Sequence, residues 1–262
     1  MRLGISTASF YPTETELVVE EIARKGIECT EIFYNSEIER KSYFTEQIEK
    51  ICSETGLVVS ALHPMYSFGE PYMIFSEYTR RFDEAREDFL RYFETAARLG
   101  AKYINLHGDR PTGKLSVEEY CQRFGILAED ARSLGVTLCQ ENVNGFRSAD
   151  PDFLADMVTE LGELANFTLD IKQCVRAGYT VPEIIKAMDR RIRHVHISDH
   201  NPCSDCLLPL KGGFDFSALF EELENLGYDG DFMIEVYRNA YTNTEEVFES
   251  FNKLKSINSK YF

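Results

Sequence analysis

The stretch FMIEVY, residues 232–237, decides how this chain folds. A run this short, apolar and bounded by polar residues reads as a buried strand, and it presents one carboxylate, Glu235, near its C-terminal end. Three earlier stretches share the design: VTLCQEN at 136–142, FTLD at 167–170 and IRHVHISD at 192–199. Each hides apolar side chains and then offers an acid or a histidine where the strand stops. Helix-length segments separate them, and a repeated strand-end ligand of this kind is what a parallel barrel needs to build a site at its mouth.

Working outward, strands are expected at residues 2–6, 27–33, 57–62 and 101–106, ahead of the four already quoted. Helices are expected between Pro12 and Gly26, over 43–55, 77–99, 116–134, 151–161, 181–188 and 217–227, and from Thr244 to about residue 257. Ser116 with Glu119 three residues on is a capping-box pattern. Gly26, Gly56, Gly100, Gly135, Gly162 and Gly227 each fall between a helix and the next strand, where glycine is the cheapest residue for a left-handed cap. Eight strand and helix alternations in 262 residues predict a single-domain (β/α)8 barrel spanning 1–262. Two long connections stand out: MYSFGEPYMIF at 65–75, whose Tyr66, Phe68, Tyr72 and Phe75 suit a substrate-covering lid, and the loop 200–214.

Composition narrows the function. With 44% hydrophobic residues the chain can bury a sizeable core. Lys+Arg 28 against Asp+Glu 44 leaves a formal charge of -16, a field that repels nucleic-acid phosphates and counts against a nucleic-acid partner. Seven cysteines at irregular spacings fit a reducing compartment better than a disulfide framework. The N-terminus runs straight into a strand-like pattern and no window approaches the apolar length of a membrane span, so the expectation is a soluble, cytoplasmic protein without a membrane partner. The lid-like loop and the cysteine-containing loop after strand seven are the stretches that would contribute to a homo-oligomer interface.

The chemistry converges on four strand ends. Taken singly, Glu141, Asp170 or Glu235 could cap a helix or pair with an arginine. Crowded together, three carboxylates repel one another unless protonated or bound to a cation, whereas three acids with His196 form a natural site for Mn or Mg, and would also accept Zn or Co. Such a cation stabilises the enediolate formed when a neighbouring proton is removed. Glu141 and Glu235, on strands separated by two others, are placed to abstract and return that proton from opposite sides of a small sugar.

Further residues support the site. His63 and His107 end strands three and four and suit hydrogen-bonding sugar hydroxyls or holding a second metal. Glu31 ends strand two in the same phase and would bind substrate, while Asp199 would orient His196 or cap the next loop. His194 reads as a deeper hydrogen-bonding residue. Lys172 and Arg176 read as anion contacts or as solvated surface, and Cys203 to Cys206 as a lone CxxC without the second pair that a structural zinc needs.

LHP at 62–64, NLHGD at 105–109, QEN at 140–142, LDIKQ at 169–173, HVHISD at 194–199 and MIEVY at 233–237 together resemble the xylose isomerase-like barrel superfamily, in its sugar phosphate isomerase/epimerase branch. The resemblance covers nearly the whole chain. It implies that Glu141, Asp170, His196 and Glu235 are a divalent-metal tetrad, that Glu141 and Glu235 double as the acid-base pair, and that His63 and His107 are pocket residues. Where the ketose epimerases carry a substrate-contacting histidine three residues after the strand-six aspartate, this chain has Gln173, which hydrogen-bonds without bearing a charge. Inosose dehydratases share the barrel and imply a lyase as the alternative. Endonuclease IV-like enzymes, which cut DNA at abasic sites, share part of the ligand set, but the chain has Leu207, Leu208 and Pro209 where they carry Asp-x-His.

Overall fold

The computed structural model describes residues 1–262 apart from the side chains of Tyr66 and Ser67; the expected lid role of Tyr66 thus lies outside the described residues. Ten strands run in chain order: β1 (Leu3–Ser6), β2 (Cys29–Phe33), β3 (Val58–His63), β4 (Tyr103–Leu106), β5 (Thr137–Glu141), β6 (Phe167–Asp170), β7 (Ile192–Ile197), β8 (Asp199–Asn201), β9 (Ser204–Leu207) and β10 (Asp231–Ile234). All but β8 and β9 pair in parallel around a closed barrel, in which β10 joins β7 to β1. The expected (β/α)8 architecture is therefore the observed one.

The helices are α1 (Thr15–Arg24), α2 (Ser42–Thr55), α3 (Glu70–Met73), α4 (Thr79–Leu99), α5 (Val117–Ser133), α6 (Pro151–Leu161), α7 (Ile171–Ala177), α8 (Val181–Met188), α9 (Phe216–Leu226) and α10 (Glu245–Asn258). Their apolar faces pack on the outside of the barrel; α4, for example, buries Phe82, Phe89, Tyr92 and Phe93 and leaves its charged face to water. The capping box at α5 forms as expected: the Glu119 N–H donates to Ser116 Oγ at 3.2 Å and the Ser116 N–H to Glu119 Oε2 at 2.8 Å. No helix among the described residues is long and apolar enough to cross a membrane.

Inside the barrel the packing changes character with height. At the N-terminal end Asp231 accepts from the Arg2 backbone N–H at 2.9 Å, from Arg2 Nη2 at 2.6 Å and from Ser60 Oγ at 2.7 Å, tying the first and last strands together. Above it Ala61, Tyr103 and Cys139 form a small apolar plug. Higher still the interior is polar, with Glu31, Asn105, Thr168 and His194 fully buried. Polar side chains at this height need partners, and other strands supply them: Thr168 Oγ1 donates to Asn105 Oδ1 at 2.6 Å and His194 Nε2 to Glu31 Oε2 at 2.8 Å.

Three departures from the expected elements bear on the site. The segment 200–214 is not all loop, because β8 and β9 form an antiparallel hairpin directly after β7. Helix α7 was not anticipated: it is seven residues long, too short for an amphipathic repeat to declare itself, and Asp170 caps it by accepting from the Gln173 N–H at 3.0 Å. Strand β10 ends at Ile234, so Glu235 is the first residue beyond it; its N–H still donates to Ile197 O at 3.0 Å, and its side chain lines the cavity at the barrel mouth.

Candidate metal centre

Four consecutive barrel strands deliver the cluster. Glu141 closes β5, Asp170 closes β6, His196 is the penultimate residue of β7, and Glu235 follows β10. Around His196 Nδ1 stand Asp170 Oδ2 at 3.4 Å, Glu235 Oε2 at 3.5 Å and Glu141 Oε1 at 3.7 Å. These spacings are those of neighbouring donor atoms around one small cation.

One residue fixes how the imidazole is presented. A carboxylate can only accept, so His196 Nε2 donates to Glu31 Oε2 at 3.0 Å, which leaves Nδ1 as the nitrogen facing the mouth. His194 Nε2 donates to the same oxygen at 2.8 Å, Asn105 Nδ2 at 2.8 Å, and Ser6 Oγ donates to the other oxygen at 3.1 Å. Burial alone would raise the Glu31 carboxyl, but His196 and His194 hold it well below the ordinary range. Likewise burial opposes charge on Glu141, and His107 and His196 keep it ionised.

Two buried atoms that face each other across the cluster at 3.5 Å, His196 Nδ1 and Glu235 Oε2, have no hydrogen-bond partner among the described residues, while Glu141 Oε2 faces His63 and His107. Buried polar atoms are rarely left unpaired, and orphans converging on one place signal a ligand. Glu141, Asp170 and His196 also each offer a ligand atom within 4.8 Å of the others. Oxygen donors with one imidazole suit Mn, Mg, Co or Zn, and the residues fit. The cluster supports a divalent-metal cofactor and metal-dependent catalysis.

Of the two readings of Lys172, solvated surface fails and contact with an anionic group holds, the groups being the protein's own: its side chain is 2% exposed and its Nζ donates to Asp170 Oδ2 and, at 2.7 Å, to Glu235 Oε1. Burial would lower this ammonium, yet Asp170, Glu235 and Glu141 hold it well above the usual lysine range. No local pattern marks it: α7 turns the side chain back over the end of β6, and only the tertiary fold brings Glu235 to meet it.

A cavity of about 400 Å3 opens above the cluster, with His63, His107, Glu141, Lys172, Gln173 and Glu235 on its floor and walls. His63 Nε2 lies 3.4 Å and His107 Nε2 3.3 Å from Glu141 Oε2. Gln173 is held by the Asn144 N–H, which donates to its Oε1 at 3.1 Å. Tyr11, Phe33 and Tyr237 provide the aromatic rim. The aromatics expected to do so do not: Phe68 and Tyr72 project into solvent, and Phe75 is buried, stacked on Tyr120 at 4.1 Å between centroids.

Two further expectations need correcting. Glu31 does not reach the cavity, because its oxygens are taken by His194, His196, Asn105 and Ser6 one layer down. Asp199 neither touches His196 nor lines the cavity; it takes the other expected role and caps the next loop, accepting from the backbone N–H groups of His200, Gly212 and Phe214. A Cβ at Gly212 would lie 2.2 Å from His200 O, so only glycine lets the loop close this tightly. Cys206, from the CxxC, is buried and accepts from the Tyr237 N–H, which steadies the rim. A residue missed altogether is Glu70, fully buried and accepting from the Gly108 N–H at 2.6 Å.

The family described as the xylose isomerase-like TIM barrel matches residues 19–257. An uncharacterised protein of Methanocaldococcus jannaschii is 25% identical over 273 residues, covering 99% of each chain. Among solved structures, a D-tagatose 3-epimerase-like protein superposes with a TM-score of 0.79 at 22% identity, over 98% of this chain and 97% of that one. The IOLI protein, solved with a bound zinc atom, superposes with a TM-score of 0.80 at 18% identity, over 100% and 99%. At these identities the structural likeness speaks to the fold.

Proposed function

Because the chain belongs to the xylose isomerase-like TIM barrel family, we propose that it is a divalent-metal-dependent isomerase or epimerase of a small ketose, sugar phosphate or polyol-derived ketone. The observation that carries this reading is the convergence of Glu141, Asp170 and Glu235 oxygens on His196 Nδ1, with His196 Nδ1 and Glu235 Oε2 unpartnered among the described residues, beneath a cavity of sugar size. Glu141, Asp170, His196 and Glu235 would hold the metal. When bound, a divalent cation polarises a carbonyl or hydroxyl oxygen and offsets the negative charge left by proton removal.

The protein's own groups supply the rest. Glu141, on β5, is approached by His63 and His107, whereas Glu235, after β10, stands beyond β6 and β7 and away from both imidazoles. The two carboxylates therefore sit in different environments on different sides of the cluster, as removal and return of a proton at one carbon requires. His63 and His107 border the cavity where sugar hydroxyls would lie, and Gln173 offers a neutral hydrogen-bonding group. The aromatic rim of Tyr11, Phe33 and Tyr237 suits the apolar faces of a sugar ring. Structural neighbours such as the D-tagatose 3-epimerase-like protein lend this chemistry support.

The test is proton exchange. The manganese-loaded protein, incubated with a panel of ketoses and their phosphates in deuterated water, should place deuterium on a carbon next to the carbonyl, and Glu141→Gln should abolish the exchange. Net loss of water from the substrate would point to a lyase instead, and exchange that survives in Glu141→Gln would remove that residue from the acid-base pair.

A further inference from the structure

We propose that Lys172 is a built-in competitor for the metal, an ammonium that holds the cation position of the metal-free protein and must leave when a divalent ion enters. The inference rests on reading the cluster as a cation site, and it concerns a residue that the ligand set does not include. Its geometry turns on Asp170. Asp170 Oδ1 accepts from the Gln173 N–H at 3.0 Å and is committed to capping α7. That leaves Oδ2 as the oxygen aimed at His196 Nδ1, 3.4 Å away, and Oδ2 is the atom on which Lys172 Nζ sits. Glu235 is divided in the same way: Oε1 takes Lys172 at 2.7 Å, while Oε2 is buried and unpartnered.

A divalent cation bound to Asp170 Oδ2 and Glu235 would thus stand against an ammonium on the same two carboxylates. Like charges at that separation repel strongly inside a protein, where little water screens them. The lysine has somewhere to go. Its Nζ lies 5.8 Å from the centroid of the Tyr237 ring, and Tyr237 is 41% exposed at the cavity rim. Lys172 itself lines the cavity. Metal entry and lysine exit are therefore two halves of one exchange, and the lysine weakens metal binding while keeping the acids compensated in the metal-free state.

Isothermal titration of the metal-free protein with manganese alone, and separately with zinc alone, tests this. Lys172→Met and Lys172→Gln should each bind at least about tenfold more tightly than the native protein. Lys172→Arg, which keeps the charge, should stay near the native affinity. Without metal, Lys172→Met should also melt at lower temperature than the native protein, and added metal should raise its melting temperature by more. If Lys172→Met does not fold, Lys172→Gln keeps a donor to both carboxylates and carries the test alone. Equal or weaker binding in the neutral variants, with the native protein still binding, overturns the competition and leaves the cation site standing. No binding by native or variant protein up to about 1 mM metal overturns the cation reading itself, and the competition with it.

Discussion

His196 Nε2 donates to Glu31 Oε2 at 3.0 Å, and this one bond decides which imidazole nitrogen looks out of the barrel. Glu31 is immobilised by three further donors, from Ser6, Asn105 and His194, so the ring cannot rotate or change tautomer without breaking a buried network. Glutamine at position 31 could donate as well as accept and would allow the imidazole to present the wrong nitrogen. Glu31→Gln should therefore weaken manganese binding by about 10- to 100-fold, read by titration calorimetry, although it touches neither metal nor substrate. Unchanged affinity would show that the ring is oriented by something else.

Glu70 should give the protein a pH-dependent stability. Burial pushes its carboxyl up from an ordinary value of 4.5 to about 7, against the lowering effects of His107 and the Gly108 N–H. A raised carboxyl binds its proton more tightly in the folded state than in the unfolded one. Its contribution is thus fully present below about 4.5 and is lost as the pH rises through about 7, amounting to on the order of 3 kcal/mol. Glu70→Gln keeps an acceptor for Gly108 and removes the proton. Urea denaturation at pH 5 and pH 8 should show the native protein losing more stability than the variant between those points, and parallel losses would refute the assignment.

Asp231 should matter for stability and not for the site. It accepts from Arg2 and Ser60 at the end of the barrel opposite the metal cluster. Burial works against its charge, but Arg2 and Ser60 hold it below the ordinary aspartate range. Its contribution is present at neutral pH and is lost as the pH falls through its depressed folded value. Asp231→Ala strands Arg2 and opens the junction of β1 and β10, which should cost about 3 kcal/mol at pH 7. Metal affinity should not change, and a parallel loss of metal binding would mean that the two ends of the barrel are coupled.

Gly212→Ala offers a test of the loop that Asp199 organises. An added Cβ would stand 2.4 Å from Asp199 Oδ1 as well as against His200 O. The loop must shift or break its bonds to Asp199, at a cost of about 1 to 3 kcal/mol in thermal unfolding. Metal binding should survive, because Asp199 makes no contact with His196; its loss would return Asp199 to the site.

How much could be read beforehand follows from what the sequence pattern encodes. The carboxylates and histidines were legible because each stands where an apolar run stops, and eight such runs with intervening helices admit few architectures. Glu31 and Asp199 carry the same strand-end signal, which points Glu31 to substrate and Asp199 to His196 or the next loop, yet Glu31 serves a layer below the cavity and Asp199 only the loop beside it. Position along a strand tells that a side chain points inward, not at which height the barrel's tilt will place it. Glu70 gives no signal, and Lys172 reads as readily as solvated surface as it does as an anion contact. A lysine two residues past an aspartate, or a glutamate in a Gly and Pro-rich connection, looks like solvent-facing surface until the tertiary packing buries it.

The central claim is that Glu141, Asp170, His196 and Glu235 grip one divalent ion, and crystals soaked in manganese or zinc test it most directly by anomalous scattering. The account predicts a single strong peak at the barrel mouth, about 2.0 to 2.3 Å from His196 Nδ1 and from an oxygen of each of the three acids, with Lys172 turned away toward Tyr237. A saturating soak that leaves that point without a peak, with the Lys172 ammonium still between Asp170 and Glu235, would contradict it.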